Sequence, residues 1–208
     1  MAGITVVGLG SGGMDQLTLG AWNVIREAGA ILVRTADHPI VDQLAAQGIR
    51  VESFDRLYEE LESFPDVYAA IAEDLMRRSA SASRDTLYGV PGHPSVAEAS
   101  VRLLQTRCAE RGIPFRLIGG ESFLDQAFLR LGFDPVEGLL LLDAGDVTPA
   151  RIQPELHLVV TQGYDRFTAS ETKLALLEHY PPDYEIVLAS GLGMGEQERI
   201  ERLPLEEL

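Results

Sequence analysis

The chain has 208 residues, of which 46% are hydrophobic and 24% charged, the balance of a folded globular protein rather than of a disordered or collagen-like one. Lysines and arginines number 17 against 32 aspartates and glutamates, so the formal net charge is −15. A surface of that sign repels phosphates, which argues against a nucleic-acid partner. No run approaches the ~18 apolar residues of a membrane span, and the N-terminus lacks the pattern of a signal peptide. The single cysteine, Cys108, fits a reducing cytoplasm.

Short β-branched runs alternate with amphipathic segments over the first 118 residues, a rhythm typical of α/β proteins. Five runs predict strands: Ile4–Val7, Ala30–Arg34, Arg50–Phe54, Thr86–Val90 and Phe115–Ile118. Helical spacing predicts helices between them, starting near Leu17, Pro39, Pro65 and Ser95. Ser95 and Glu98 have the spacing of a capping box, whereas the small polar run 79–83 predicts a loop. Right-handed crossovers then give a parallel sheet with helices on both faces.

After Gly120 the rhythm changes, which predicts an N-terminal α/β domain over residues 1–118 and a C-terminal α/β domain over residues 119–208. Ser122 and Asp125 are suited to cap a helix. Further strands are predicted at 139–142, 157–161, 185–189 and 199–203. Because only one clear helix, about 170–180, lies among them, some neighbouring strands must pair antiparallel, and the second sheet is expected to be mixed.

Glycines follow the first strand directly, as Gly8-Leu9-Gly10-Ser11-Gly12-Gly13. Read literally, this loop satisfies the dinucleotide fingerprint G-x-G-x-x-G, which would indicate a nicotinamide-dependent oxidoreductase. Two features oppose that interpretation: the helical pattern starts only near Leu17, and Arg34 stands where an acidic ribose ligand is expected. A binding loop that is not a phosphate cradle is favoured over a plain turn.

A second loop, Gly89-Val90-Pro91-Gly92-His93-Pro94, ends another strand at the same carboxyl edge, where open α/β sheets bind ligands. Prolines around a glycine fix the loop so that its backbone groups face a ligand. Such neutral loops suit a nucleoside with an amino-acid tail better than a triphosphate. His93 is expected as a hydrogen-bonding spacer rather than as a catalytic base. The four histidines have no metal-ligand spacing, so no metal is expected.

Both loops resemble those of the S-adenosylmethionine-dependent tetrapyrrole (corrin/porphyrin) methylases. The stretch 7–12 is similar to their G-x-G-P-G-D loop, and 90–98 to their G-D-P-type loop in the branch fused to MazG-type nucleotide pyrophosphohydrolases. Three more stretches also resemble this family, at 121–125, 161–165 and 180–184. Ser11 stands where the family usually has proline, and Gly13 where it usually has aspartate.

The resemblance implies an α/β class III-type methyltransferase fold of two domains with a cleft between them. It also implies S-adenosyl-L-methionine as cofactor, a small-molecule acceptor, a homodimer, and a fused or associated MazG-type domain. The residues implied to lie near the cofactor are Gly8, Gly10, Gly92, His93, Val96, Ser122, Phe123, Gln162, Ala189 and Ser190. Substrate-side candidates are Asp37, His38 and Asp165. The alternative to an enzyme is a non-catalytic methylase-like module that binds ligand or dimerises such a fusion.

Several of these residues also have ordinary structural explanations. Ser122 is equally suited to be a helix cap, Gln162 a turn residue and Phe123 part of the core. A solvated loop aspartate is the more ordinary role for Asp165. No residue identifies the acceptor, and none is predicted as the catalytic base.

Overall fold

The computed structural model describes residues 2–208, and the chain divides into two compact units, Met1–Asp125 and Gln126–Leu208. The strands of the described part are β1 (Ile4–Gly8), β2 (Ala30–Val33), β3 (Arg50–Ser53), β4 (Thr86–Val90), β5 (Phe115–Ile118), β6 (Leu139–Asp143), β7 (His157–Thr161), β8 (Glu185–Ser190) and β9 (Arg199–Pro204). Its α-helices are α1 (Leu19–Ala28), α2 (Ile40–Ala46), α3 (Asp55–Glu60), α4 (Phe64–Ser81), α5 (Ala99–Arg111), α6 (Phe123–Leu131) and α7 (Arg166–Leu176). The sequence placed the domain boundary just before α6, the helix that spans the division between the units.

The first unit is built on a five-stranded sheet in the order β3-β2-β4-β1-β5. Every neighbouring pair is parallel; Ile4 of β1, for example, lies opposite Thr86 of β4 and Phe115 of β5. All five predicted strands are present and the predicted parallel sheet is confirmed. Its carboxyl edge therefore carries the loops that follow β1 and β4, because parallel strands end on the same side.

Helices cover both faces of this sheet, as the alternating side chains of β1 require. Ile4 and Val6 join a core with α4 and α5, whereas Val7 and the adjoining Leu9 join a separate core with α1 and α2. All four residues are fully buried. Trp22 of α1, the only tryptophan in the sequence, packs half-buried against the second of these cores.

Two local predictions in this unit are wrong, and one helix, α3, was not predicted. The predicted loop at 79–83 is helical through Ser81, because Ser79 is buried and its hydroxyl donates to the Ala2 and Gly3 carbonyls at 3.1 and 3.2 Å. The capping box at Ser95 does not form: α5 begins only at Ala99 and the preceding Glu98 makes no capping bond.

The second unit contains two small sheets, a parallel pair of β6 and β7 and an antiparallel hairpin of β8 and β9. Both kinds of strand pairing therefore occur, but in two separate sheets rather than in the one mixed sheet that was expected. The α/β fold class with a smaller C-terminal sheet is confirmed. The core of this unit is small and is formed by Ile152, Ala175, Leu176 and Leu205. Helix α7 starts earlier than predicted because the Asp165 carboxylate accepts from the Thr168 amide at 2.8 Å. Across residues 2–208, no helix has the length and apolar character needed to cross a bilayer.

Candidate functional site

The two glycine loops at the carboxyl edge of the first sheet are joined through their backbones. Gly10 and Gly92 form an isolated antiparallel bridge, in which the Gly92 amide donates to the Gly10 carbonyl at 2.7 Å and the Gly10 amide donates back at 3.3 Å. Both glycines have positive φ, 79° for Gly10 and 66° for Gly92, a conformation that other residues adopt only with strain. The sequence therefore supplies glycine where this contact requires it.

Immediately behind the bridge, three backbones approach too closely for any side chain. A β-carbon at Gly8 would lie 2.6 Å from the Gly92 carbonyl oxygen and 2.6 Å from the Gly120 nitrogen. A β-carbon at Gly120 would lie 2.5 Å from the same carbonyl oxygen. Gly8 and Gly92 were predicted site residues, but Gly120 was not. The role of Gly120 is visible only in the structure. It follows β5, the neighbour of β1, and its backbone packs against those of Gly8 and Gly92.

His38, a predicted substrate-side residue, is tied to the first glycine loop. Its Nε2 lies 3.1 Å from the Gly10 carbonyl oxygen, and its Nδ1 accepts from the Ile40 amide at 3.4 Å. The proton of the neutral ring is therefore on Nε2, which donates to Gly10. Burial lowers the pKa of His38, although the Gly10 carbonyl opposes that shift. The neighbouring Asp37 is exposed and its amide donates to the Thr35 hydroxyl.

After Gly10 the loop is closed by hydrogen bonds of its own rather than by a helix. The Ser11 hydroxyl donates to Gln16 Oε1 at 2.8 Å, and the Met14 amide donates to Gln43 Oε1 at 2.8 Å. A short 3₁₀ turn follows, and α1 begins only at Leu19. No helix N-terminus opens at the last glycine, so the arrangement lacks the phosphate cradle that a nicotinamide cofactor requires.

His93 follows Gly92 in the second glycine loop and is the first residue of a turn over residues 93–96. Its Nδ1 accepts from the Ser95 amide at 3.1 Å, and the Val96 amide donates to the His93 carbonyl. The ring packs beside Gly119, where an added β-carbon would lie 3.1 Å from Nε2. Ala97 follows with a φ of 51°, a strained value for a residue with a side chain. These contacts match the spacer role expected of His93.

Ser122 caps helix α6. Its hydroxyl accepts from the Leu124 amide at 3.2 Å, and both its amide and its hydroxyl donate to Asp125 Oδ2 at 2.7 and 3.0 Å. This confirms the predicted capping pair and places Phe123, half-buried, in the first turn. The Thr18 hydroxyl donates to the Gly119 carbonyl, so the segment before α6 is fixed to the start of α1.

A buried polar chain lies beside the glycine loops. Arg34, directly after β2, pairs with Glu98 at 3.1 Å, and the Glu98 side chain is only 4% exposed. The Ser100 hydroxyl donates to Glu98 at 2.8 Å, which leaves the Tyr88 hydroxyl, 3.2 Å away, to donate to Ser100. Burial lowers the pKa of Arg34, but Glu98 acts in the opposite direction together with Tyr58, Tyr88 and Tyr68, and the net shift is upward. Burial raises the pKa of Tyr58 to about 12 and keeps it neutral.

The remaining predicted residues belong to the second unit. Gln162 follows β7 with a φ of 66° and is half-buried. Asp165 is the cap of α7, and the bond from the Thr168 amide lowers the pKa of its carboxyl. Ala189 and Ser190 end β8, just before Gly191, whose φ is 60°. The capping bond gives Asp165 a structural role at the start of α7, in keeping with the solvated loop aspartate that was expected.

Comparison with known proteins adds to this geometry. The profile of the Tetrapyrrole (Corrin/Porphyrin) Methylases matches residues 3–208. The chain is 43% identical to the uncharacterized protein YabN of Bacillus subtilis (strain 168), over 100% of this chain and 42% of that protein. It spans less than half the length of the curated relatives it matches.

Two solved structures from Thermus thermophilus share the fold. One is uroporphyrin-III-C-methyltransferase, with a TM-score of 0.73, 24% identity, and coverage of 100% of this chain and 86% of that one. The other is uroporphyrin-III C-methyl transferase complexed with S-adenosylhomocysteine, with a TM-score of 0.68, 18% identity, and coverage of 99% and 85%. These likenesses confirm the class III methyltransferase fold. Because the family profile matches the chain over nearly its whole length, the chain belongs to the tetrapyrrole (corrin/porphyrin) methylases.

Proposed function

We propose that the protein is an S-adenosylmethionine-dependent methyltransferase that acts on a small-molecule acceptor. The observation that carries this proposal is the backbone bridge between Gly10 and Gly92. It brings two loops together at the carboxyl edge of a parallel sheet, where ligands of open α/β folds bind. Family membership supports the same function.

The chemistry of the donors suits this cofactor. The loops offer main-chain groups rather than charged side chains. The space beside Gly92 is open, because a β-carbon there would meet no atom closer than 4.0 Å. Gly10, Gly92, His93 and Val96 are the first-unit residues that would hold an uncharged nucleoside and its amino-acid tail. In the second unit, Gln162, Ala189 and Ser190 are the proposed contacts.

When bound, S-adenosylmethionine supplies an electrophilic methyl carbon on its sulfonium. The residues of the chain contribute position and exclusion of water rather than a covalent intermediate. His38 is a positioning residue in this proposal, because its Nε2 proton is directed at the Gly10 carbonyl and not at an acceptor. Asp37 and the buried pair of Arg34 and Glu98 lie at the same sheet edge, after β2 and after β4.

Calorimetric titration with S-adenosylhomocysteine tests the binding step. We expect saturable heat from the unaltered protein, and weaker binding by Gly10→Ala, whose β-carbon would lie 2.7 Å from the Gln16 carbonyl oxygen. Gly29→Ala is the matched control, because Gly29 also has a positive φ, 67°, but meets nothing within 4 Å. Absence of heat with the unaltered protein, or equal loss in both variants, contradicts the proposal.

The second candidate is a non-catalytic methylase-like module, dimeric and associated with a MazG-type pyrophosphohydrolase. It is favoured by Ser11, which bonds to Gln16 within the loop where relatives usually carry proline. A screen of acceptors with radiolabelled methyl donor separates the two candidates. Tight binding without transfer to any acceptor favours the module, and sedimentation analysis tests the dimer.

A further inference from the structure

A small pocket lies where α3 ends and α4 begins. Its volume is about 150 Å³, and it is lined by Tyr58, Leu61, Glu62, Ser63, Phe64 and Val67. Pockets for drug-sized ligands are at least about twice as large, from about 300 to 1,000 Å³. This pocket is therefore suited to a head group of a few heavy atoms. None of its lining residues was predicted as a site residue.

Aromatic rings are grouped around the pocket. Phe64, the first residue of α4, is 55% exposed. Its ring centre lies 6.2 Å from that of Tyr58, edge to face, and 6.2 Å from that of Tyr68, nearly parallel. The faces of such rings carry negative partial charge and attract cations. More than half of the Phe64 surface is thus exposed to solvent beside the pocket.

The charges near the pocket are mainly negative. Between residues 55 and 66, the sequence has five acidic residues and one arginine: Asp55, Arg56, Glu59, Glu60, Glu62 and Asp66. Glu62 lines the pocket itself, and Arg56 pairs with Glu60. The Arg34 cation acts on Tyr58, and its partner Glu98 opposes it in part. With a net charge of −15 over the whole chain, the field attracts cations and repels carboxylates.

The partial charges at the ends of α3 and α4 do not change the excess of negative charge near the pocket. The positive N-terminus of α4 meets the negative C-terminus of α3 at residues 61–63, so the two partial charges oppose each other. The Ser63 hydroxyl accepts from the Asp66 amide, and Asp66 adds a carboxylate to the first turn of α4. Glu62 and the aromatic faces therefore determine which ligand the pocket prefers.

We propose that this pocket binds an organic cation, the quaternary or protonated ammonium head group of a small molecule. Aromatic ring faces recognise such groups, and the Glu62 carboxylate adds an attraction for positive charge. The inference concerns the surface formed by Tyr58, Glu62 and Phe64, and it does not depend on methyl transfer.

Titration with choline and with its neutral isostere 3,3-dimethylbutan-1-ol tests the charge preference. Binding is monitored by NMR of the aromatic side chains. The two probes have the same shape and differ by one positive charge. We expect choline to bind about two- to five-fold more tightly, the ratio that an exposed cation–π contact supplies. Added salt should weaken choline binding and leave the alcohol unaffected. Absence of saturable choline binding, or equal affinity for both probes, overturns the proposal.

Substitutions test the location. Phe64→Leu and Glu62→Gln should each weaken choline binding about two-fold or more. Both residues are exposed, so we expect the variants to fold. Phe167→Leu is the control for the ring, because Phe167 is 75% exposed in the first turn of α7. Glu171→Gln, also exposed on α7, is the control for charge. Equal effects of the pocket and control variants would show that choline binds elsewhere, which also overturns the proposal.

Discussion

A methyl group added at Gly120 would collide with main chain on two sides, the Gly92 carbonyl and the Gly8 backbone. Because neither neighbour can rotate away, we expect Gly120→Ala to lower the free energy of unfolding by about 1–3 kcal/mol, the usual range for overpacking. Urea denaturation measures the change.

Gly20→Ala is the matched control. Gly20 lies within α1 and meets nothing within 4 Å, so alanine should raise stability by about 0.5–1 kcal/mol through helix propensity. If Gly120→Ala unfolds at the same urea concentration as the unaltered protein, the close approach of the three loops is wrong.

His38 should make folding stability depend on pH. Burial lowers its pKa below the ordinary 6.5 in the folded state, with Arg34 acting in the same direction and Gly10 and Asp37 against it. Below pH 6.5 the unfolded chain therefore binds the proton more readily, so stability falls as pH drops towards the lowered pKa and is fully retained above 6.5.

The measurement is urea unfolding at a series of pH values, for the unaltered protein and for His38→Gln. Glutamine can still donate a hydrogen bond but does not titrate, so the fall on acidification should be smaller in the variant. Identical pH curves would exclude His38 as the source.

Local sequence was sufficient to predict the two glycine loops but not everything that fixes them. Gly8, Gly10 and Gly92 follow strands that the hydrophobic pattern predicts. Gly120 could not be identified because its role depends on the order β4-β1-β5, in which strands distant in sequence become neighbours. The bond from His38 to Gly10 likewise joins residues that the chain separates.

At the level of elements, the start of α5 depends on an ion pair rather than on a cap. Glu98 accepts from Arg34 and Ser100 while almost fully buried. Glu98→Ala would leave Arg34 without its partner, and we expect a loss of about 2 kcal/mol in the free energy of unfolding. Chemical denaturation tests this.

Glu73→Ala provides the comparison. Glu73 bonds to Arg107 and Arg111 between α4 and α5, but the Glu73 carboxylate is half exposed, and ion pairs of exposed groups contribute little. A loss as large as that of Glu98→Ala would mean that burial does not set the strength of the Arg34 pair.

Glu98 also shows why the helices and strands could be predicted from the sequence only in part. All five strands of the first sheet were predicted within a residue or so, and three of them, β1, β2 and β4, are buried at most positions. The predicted Ser95–Glu98 box is wrong because Arg34, distant in sequence, takes up the carboxylate. Helix α3 has no fully buried residue, so it left no apolar stripe to detect.

Across the whole molecule, local stability should follow burial. Strands β1 and β4 are buried at every position and have a partner on both sides, whereas β8 and β9 form an isolated hairpin with mostly exposed residues. We expect hydrogen exchange of backbone amides to be slowest in β1 and β4 and fastest, among the strands, in β8 and β9.

Mass-spectrometric exchange on the intact chain measures this order. Helix α4, with six buried residues, should be protected nearly as well as β4. Protection in the hairpin equal to that of β1 would show that a surface outside the described contacts covers it.

Trp22 packs against the core that contains Leu9, the residue between Gly8 and Gly10. The protein therefore carries an intrinsic optical reporter next to its first glycine loop. Because no second indole contributes to the signal, a shift in emission on adding a ligand can be attributed to this one position without labelling.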